Sequence, residues 1–443
     1  MTDRPKYDAR WFSAHIDDPS ARTLASQVAR LIRAGDLVPG DRLPHVRSLA
    51  AELRISPGTV SSAWALLKRR GLLVGRGKSG TRVSSPTSLA ASLGGLATLG
   101  HQLDLRLLYP DPAMLPPLER ALTHAARLAR LDEYYDRPIL PELRAVLEPR
   151  WPCASESFVV ANGASDALWS TLQSISVPGD RIAVESPSQP QLLTLMTDLG
   201  LELVEVAVDE RGPVPGSLRE ALKTRPVAFF YQPQAQVPTG ATLRPRRAAE
   251  LADLLVRWPG TTVVEYDDLN VLAADPLPSL GHRLPGRTVV IRSYEKSYGP
   301  DLRLAVVGGP QSVIEGIHAQ IRLTRQWTSR ILQATLAWLL ADPGTTQLLA
   351  DARDTYRGRL RALADALAER GVVTHASEGF CLWVPVADER AAVERLAAHG
   401  VLVFPGSGCY PHHARAHIRI ATSRLDGDYE ELADIVRHAR QTL

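Results

Sequence analysis

The chain has 443 residues, 45% of them hydrophobic and 22% charged, which points to two or three globular domains rather than one core. No run of about 18 apolar residues occurs, which excludes a membrane-spanning helix, and Met1 to Asp18 lacks the apolar stretch of a signal peptide. The net charge of +3 is unevenly spread: residues 1–85 hold 15 Lys/Arg against 7 Asp/Glu, and the rest 36 against 41. A basic head on a mildly acidic body is the footprint of a nucleic-acid-binding domain, although charge alone fits an ordinary solvated surface equally well. Cys153, Cys381 and Cys409 are far apart and show neither metal-ligand nor disulfide spacing. A reducing cytoplasm is the expected compartment, and no metal site is expected.

Leu24, Val28, Leu31 and Ile32 recur at helical spacing within residues 20–35. After Gly40, residues 44–53 read as a second helix. Ser56 is placed to cap a third, running to about Arg70, because its hydroxyl can accept a free amide of the first turn. Gly71 to Val74 reads as a strand, residues 75–80 as a glycine-rich turn, and Thr81 to Ser84 as the return strand. Three helices and a small hairpin make a winged helix-turn-helix over residues 1–85. Residues 86–102 are rich in Ser, Ala, Gly and Leu and read as a linker, long enough for the head to reach a neighbouring subunit.

From residue 103 helices alternate with short apolar strands: Phe158–Val160, Arg181–Val184, Leu203–Val206, Ala228–Tyr231, Thr262–Glu265 and Thr288–Ile291. This alternation predicts an α/β body with a mostly parallel sheet covered on both faces. A large subdomain is expected over about 103–330 and a smaller C-terminal α+β subdomain over about 331–443.

The third helix of the head begins with small polar groups, Ser56, Gly58, Thr59 and Ser61, which suit entry into a major groove. Arg47, Lys68, Arg69, Arg76 and Lys78 would mostly neutralise phosphates, giving affinity rather than sequence reading. Gly80 closes the turn that carries the last two. The pieces Gly40-Asp41-Arg42-Leu43-Pro44, Val46-Arg47-Ser48-Leu49-Ala50, Ser56-Pro57-Gly58-Thr59-Val60 and Gly75-Arg76-Gly77-Lys78-Ser79-Gly80-Thr81 closely resemble the GntR-type winged helix, in order and spacing. The resemblance implies double-stranded promoter DNA as partner. Pro57 stands where that family often has an arginine, so one base or phosphate contact is missing. A winged helix used only for protein contact is the alternative.

Lys296 follows an apolar strand. A lysine amine so placed can condense with an aldehyde to form an aldimine, or can simply be a surface lysine. Asp267 follows another strand end, where a carboxylate can pair with a protonated pyridine nitrogen or merely cap a turn. Asp268 is adjacent, and the register is open by one. Gly163, Ala164 and Ser165 lie between a strand and a helix, where free amides can hold a phosphate, and Arg303 would add a charge-assisted bond. Arg419 lies in an alternating strand and is either an edge-strand surface residue or a fork for a carboxylate.

These residues occur in segments similar to those of fold-type I aminotransferases: Asp104 to Pro112, Leu140-Pro141-Glu142-Leu143-Arg144, Asn162 to Leu168, Val237-Pro238-Thr239-Gly240, Ser293 to Arg303, Val403-Phe404-Pro405-Gly406 and His417-Ile418-Arg419-Ile420. Head and body together resemble the MocR group of GntR regulators. The chain thus reads as a multi-domain protein. An N-terminal winged helix-turn-helix precedes an α/β fold-type I aminotransferase-like domain with a smaller C-terminal α+β subdomain. The resemblance implies pyridoxal 5'-phosphate as cofactor, held by Gly163, Ala164, Ser165, Asp267, Lys296 and Arg303. It also implies Arg419 as the grip on an amino-acid carboxylate, and a homodimer.

Three departures weigh against turnover. Leu269 and Asn270 occupy the stretch where such families carry a tyrosine, Val237 stands before Pro-Thr-Gly, and Gln189 replaces a ring-stacking aromatic. The leading expectation is a transcriptional regulator that senses an amine or amino acid through an aldimine at Lys296. A working aminotransferase with an appended head is the second reading. A cofactor-free DNA-binding dimer is the third. Effector, operator and sign of regulation are not written in the residues.

Overall fold

The computed structural model describes residues 7–16, 20–69, 72–74, 81–83, 103–128, 134, 137–273, 278–375, 378–412 and 414–440. The chain forms two compact units, Met1–His101 and Gln102–Leu443.

In the head, helix Ala21–Ala34 starts at Ser20, whose hydroxyl accepts the Thr23 N–H at 3.2 Å. It stops at Gly35, whose φ of 83° suits a residue without a Cβ. Helices Val46–Glu52 and Pro57–Arg69 follow. Ser56 caps the latter, accepting the Thr59 N–H at 3.0 Å, and Pro57 sits at the first helical position, where no N–H is needed. Leu24, Val28, Leu49, Val60, Ala63 and Leu67 are fully buried between the helices. Strands β1 (Leu73–Val74) and β2 (Arg82–Val83) pair antiparallel. The three expected helices and the hairpin are thus present; an additional helix, Ala9–Ser13, places Phe12 in the same core. The glycine-rich turn with Arg76, Lys78 and Gly80, and the linker, lie outside the described residues.

In the body, β3 (Leu103–Leu105) is followed by β4 (Ser157–Ala161), β5 (Arg181–Ser186), β6 (Glu202–Asp209) and β7 (Gly212–Pro213). Then come β8 (Ala228–Tyr231), β9 (Thr262–Asp267), β10 (Thr288–Ser293) and β11 (Ala305–Gly309). Strands β4 to β11 form one sheet in the order β4-β11-β10-β9-β8-β5-β6-β7. β10, β9, β8, β5 and β6 run parallel, while β11 is antiparallel to both its neighbours. Leu168, Leu172 and Ile317 cover one face over Val184, Phe230, Val264 and Ile291. Leu251 and Leu255 cover the other over Phe229, Tyr231 and Val263. Burial on both faces is why these strands read as continuous apolar runs.

A second sheet of β12 (Cys381–Pro385), β13 (Val401–Pro405) and β14 (His417–Ala421) has the order β12-β14-β13-β3. Its membership corrects the expected subdomain boundary. β3 does not join the large sheet; Leu103, Asp104 and Leu105 pair in parallel with Val401, Leu402 and Val403. The small subdomain therefore takes its edge strand from the start of the body. Periodicity within three residues carries no record of a partner some 300 residues away.

Glu185, near the end of β5, is wholly buried, and its carboxylate accepts the Gln232 backbone N–H at 2.8 Å. Loss of water outweighs that bond and pushes its pKa up to about 8.

Two outcomes follow from the packing. Leu67→Ala opens a cavity in a head with little core to spare and should cost about 2–5 kcal/mol. Thermal melting should then show the head unfolding early while the body's transition stays in place. For Glu185, the native state holds a proton that the unfolded chain has already released between the ordinary carboxyl range and about pH 8. Its contribution to stability therefore falls as pH rises through that window and levels off above it. Urea unfolding of Glu185→Gln should have a flatter pH dependence there than the native chain; equal slopes would contradict the assignment.

Candidate cofactor pocket and nucleic-acid interface

Parallel strands β9 and β10 end side by side, with Arg292 opposite Asp267 in register. The C-terminal edge of such a sheet is where open α/β folds bind ligands. Lys296 lies in the short helix Glu295–Tyr298 that follows β10. Its Nζ contacts the Asp268 carboxylate, and both side chains are 13% exposed. The ammonium also stands 5.4 Å from the centre of the Phe380 ring. Asp268 accepts further bonds from the Tyr266 hydroxyl at 3.1 Å and Gln189 Nε2 at 3.2 Å. Gln189 Nε2 also donates to Gln232 at 3.1 Å. Burial and the neighbouring carboxylates hold the Tyr266 phenol well above its ordinary pKa, so it is a neutral donor.

Asp267 points the other way. It is fully buried, pairs with Arg292 Nε at 2.8 Å and accepts the Asn270 backbone N–H at 2.9 Å. Of the two adjacent aspartates, Asp268 is the one on the lysine's side. Successive side chains of a strand alternate faces, so Tyr266 and Asp268 share the lysine's side while Glu265 and Asp267 are turned away. At a strand end the one-residue register cannot be read from local pattern.

Gly163 begins helix Ala164–Ile175 with φ 89°. An added Cβ there would fall on the Glu295 carboxylate and crowd the Arg303 side chain. The Ala164 backbone amide faces the Glu295 carboxylate and works against the rise of its pKa, and Arg303 Nη1 stands 3.6 Å from the same carboxylate. Arg303 is 59% exposed, and Ser165 is exposed. Gly163, Ala164 and Arg303 come together around a glutamate to which sequence reasoning assigned no role. Its position directly before Lys296 was the available signal.

Arg419, in β14, is 4% exposed. Its Nη2 donates to the Arg106 carbonyl at 2.7 Å, and its guanidinium lies 4.3 Å from the Phe404 ring centre. Its buried Nε has no hydrogen-bond partner among the described residues. Desolvation lowers the Arg419 pKa, with Cys381 and Cys409 nearby. Cys381 feels Arg419, Lys296 and Asp268 together, which puts the three in one neighbourhood.

The Lys296 end fits a pyridoxal-class ring. It offers an amine for the aldehyde, a carboxylate for a ring nitrogen and an apolar wall at Phe380. The Gly163–Ala164 end has the free amide and cation that a phosphate needs, but shares them with Glu295.

On the head, Gly58, Ser61, Ser62 and Lys68 form the exposed side of Pro57–Arg69, opposite buried Val60, Ala63, Trp64 and Leu67. Arg47 is exposed on the preceding helix, and Arg69 closes the last turn. The Ser56 and Thr59 hydroxyls are 2.8 Å apart and tied into the cap.

Residues 20–83 match the model of bacterial regulatory proteins of the gntR family, and residues 108–436 that of class I and II aminotransferases. The chain is 34% identical to the vitamin B6 salvage pathway transcriptional repressor PtsJ of Salmonella typhimurium, over 96% of this chain and 99% of that one. It is 30% identical to the HTH-type transcriptional regulator TauR of Rhodobacter capsulatus, over 86% and 88%. The body has the fold of Pyrococcus horikoshii kynurenine aminotransferase, with a TM-score of 0.71 at 21% identity over 80% of this chain and 94% of that one. The chain belongs to the MocR-type transcriptional regulators, in which a gntR-family helix-turn-helix head is fused to a class I and II aminotransferase domain.

Proposed function

We propose that the chain regulates transcription by binding promoter DNA through the exposed face of Pro57–Arg69 and a pyridoxal-class cofactor at Lys296, with a small amine or amino acid as signal. The observation that carries this reading is the Lys296 amine set on the Asp268 carboxylate at the ends of two parallel strands. When bound, such a cofactor supplies an aldehyde that exchanges between amines and a ring that withdraws electrons.

The chain's own residues have distinct tasks. In this reading Asp268, on the lysine's side, would pair with a protonated ring nitrogen, and the neutral Tyr266 hydroxyl and Gln189 fix its orientation. Asp267 locks the strand ends through Arg292. Arg419 holds a buried N–H in need of an acceptor, which suits the carboxylate of an amino acid. Gln189 offers hydrogen bonds where stacking would hold a ring through turnover, which favours sensing over catalysis. A homodimer would present two heads to two half-sites. The signal acts only if it binds two conformations unequally.

A second reading, that the B6 vitamer itself is the signal, is favoured by the named role of the PtsJ relative.

Adding pyridoxal 5'-phosphate should raise a visible absorption band that Lys296→Ala abolishes. Asp268→Asn should weaken cofactor retention about tenfold or more, whereas Asp267→Asn should act mainly on stability; the reverse ranking would overturn the assignment. Candidate amines should change operator affinity in the native chain and not in Lys296→Ala. No change in either rules out the amine signal. Arg47→Ala should weaken operator binding about equally across sequences and reduce the salt slope by about 1. A change in base preference instead would give Arg47 a reading role.

A further inference from the structure

The amide and cation at the start of helix Ala164–Ile175 are already engaged by an anion of the chain itself. Glu295 reaches back from the residue before Lys296. Its carboxylate faces the Ala164 amide and stands 3.6 Å from Arg303 Nη1. It also fills the space that Gly163 leaves by lacking a Cβ. Gly163 adopts φ 89°, which lets the carboxylate come close to the backbone.

We propose that Glu295 is a built-in anion in the phosphate seat, so that the Lys296 pocket takes an unphosphorylated pyridoxal-class aldehyde in preference to its phosphate ester. The inference rests on the reading of Lys296 as the aldehyde-binding lysine. Its physical basis is charge. A phosphate monoester brings about −1.5 to −2 at neutral pH. The charged groups facing Glu295 are Arg303 from the following loop, Lys296 on its own helix and Asp268 from the end of β9. Lys296 is engaged with Asp268, and Arg303 is more than half exposed, where water screens it. A phosphate must therefore displace Glu295 from an amide and a guanidinium, share one arginine with it, or wait for its protonation. Burial already lifts the Glu295 pKa above the ordinary carboxyl range, but Arg303 and the Ala164 amide oppose that lift. A hydroxymethyl group in place of the phosphate meets none of these costs and can donate a hydrogen bond to the carboxylate.

The test uses the full chain and two variants, Glu295→Gln and Glu295→Ser, with Lys296→Ala as the spectral blank. Each is titrated with pyridoxal and with pyridoxal 5'-phosphate, reading the visible band. Removing the Glu295 charge should tighten the phosphate ester about tenfold or more and leave pyridoxal within about threefold. The native chain should bind pyridoxal at least as well as the ester. An ester-to-pyridoxal preference unchanged by both variants would overturn the proposal. Inorganic phosphate supplies a readout that needs no aldehyde: it should raise the melting temperature of both variants and not of the native chain. If neither aldehyde gives a band and phosphate still stabilises only the variants, the Lys296 reading fails while Glu295 remains the seated anion. If phosphate stabilises all three alike, the Glu295 inference fails whatever the aldehydes do.

Discussion

The body is organised around the contact between the Lys296 ammonium and the Asp268 carboxylate, two charges each 13% exposed. Burying both carries a desolvation penalty, so the pair is tolerable only where geometry is held and the remaining acceptors are used. Tyr266 and Gln189 occupy those acceptors. The holding is done one residue back, on the opposite face, where Asp267 and Arg292 face each other in register and form their own ion pair. Slipping either strand by one residue would exchange the two carboxylates between faces and leave the lysine without its partner. Two adjacent aspartates therefore do two jobs, one fastening the strand ends and the other presenting a charge to the pocket.

Much of this architecture was legible in the residues. Six of the eight strands of the large sheet are apolar runs, because that sheet is covered on both faces. The head's third helix announces itself through Ser56, which satisfies its first turn, whereas Ser20 and Gly35 close the ends of Ala21–Ala34 without having been read as signals. What stayed hidden has specific causes. The parity of Asp267 and Asp268 depends on where β9 stops, and a strand end lies just where alternation ceases to inform. β3 pairs with β13 across some 300 residues. Glu295 was visible as a letter beside Lys296, but only the backbone turn at Gly163 brings the two within contact.

The charges of the pocket divide it in two. Around Lys296 and Asp268 they are balanced, and Phe380 walls the site. Around Ala164 they are already satisfied internally through Glu295 and Arg303. At Arg419 a buried donor is left without an acceptor, at a cost that structures normally avoid unless a ligand or water completes the set. A catalyst benefits from a cofactor locked at every corner, because reaction geometry tolerates little looseness. A sensor benefits from the opposite, since a ligand that never leaves cannot report its own concentration. On the proposed reading, an anion seat already faced by Glu295 beside a buried Arg419 donor that has no acceptor among the described residues is the distribution expected of the second case.

In the proposed reading, that distribution also bears on how strongly occupancy of the pocket would have to bias a two-state equilibrium. Moving a two-state equilibrium from 1:99 to 99:1 needs about 10⁴-fold differential affinity. A bond at Lys296 common to both states contributes nothing to that difference, however strong it is. The differential must come from contacts that change with occupancy. Lys296 leaving Asp268 and Arg419 gaining an acceptor are two such contacts. Each is a charge-assisted bond worth more in a dry site than in water. The first lies on the short helix Glu295–Tyr298. Displacing that ion pair would free the helix from the end of β9. It is therefore the element of the body whose position is most directly tied to what the lysine holds.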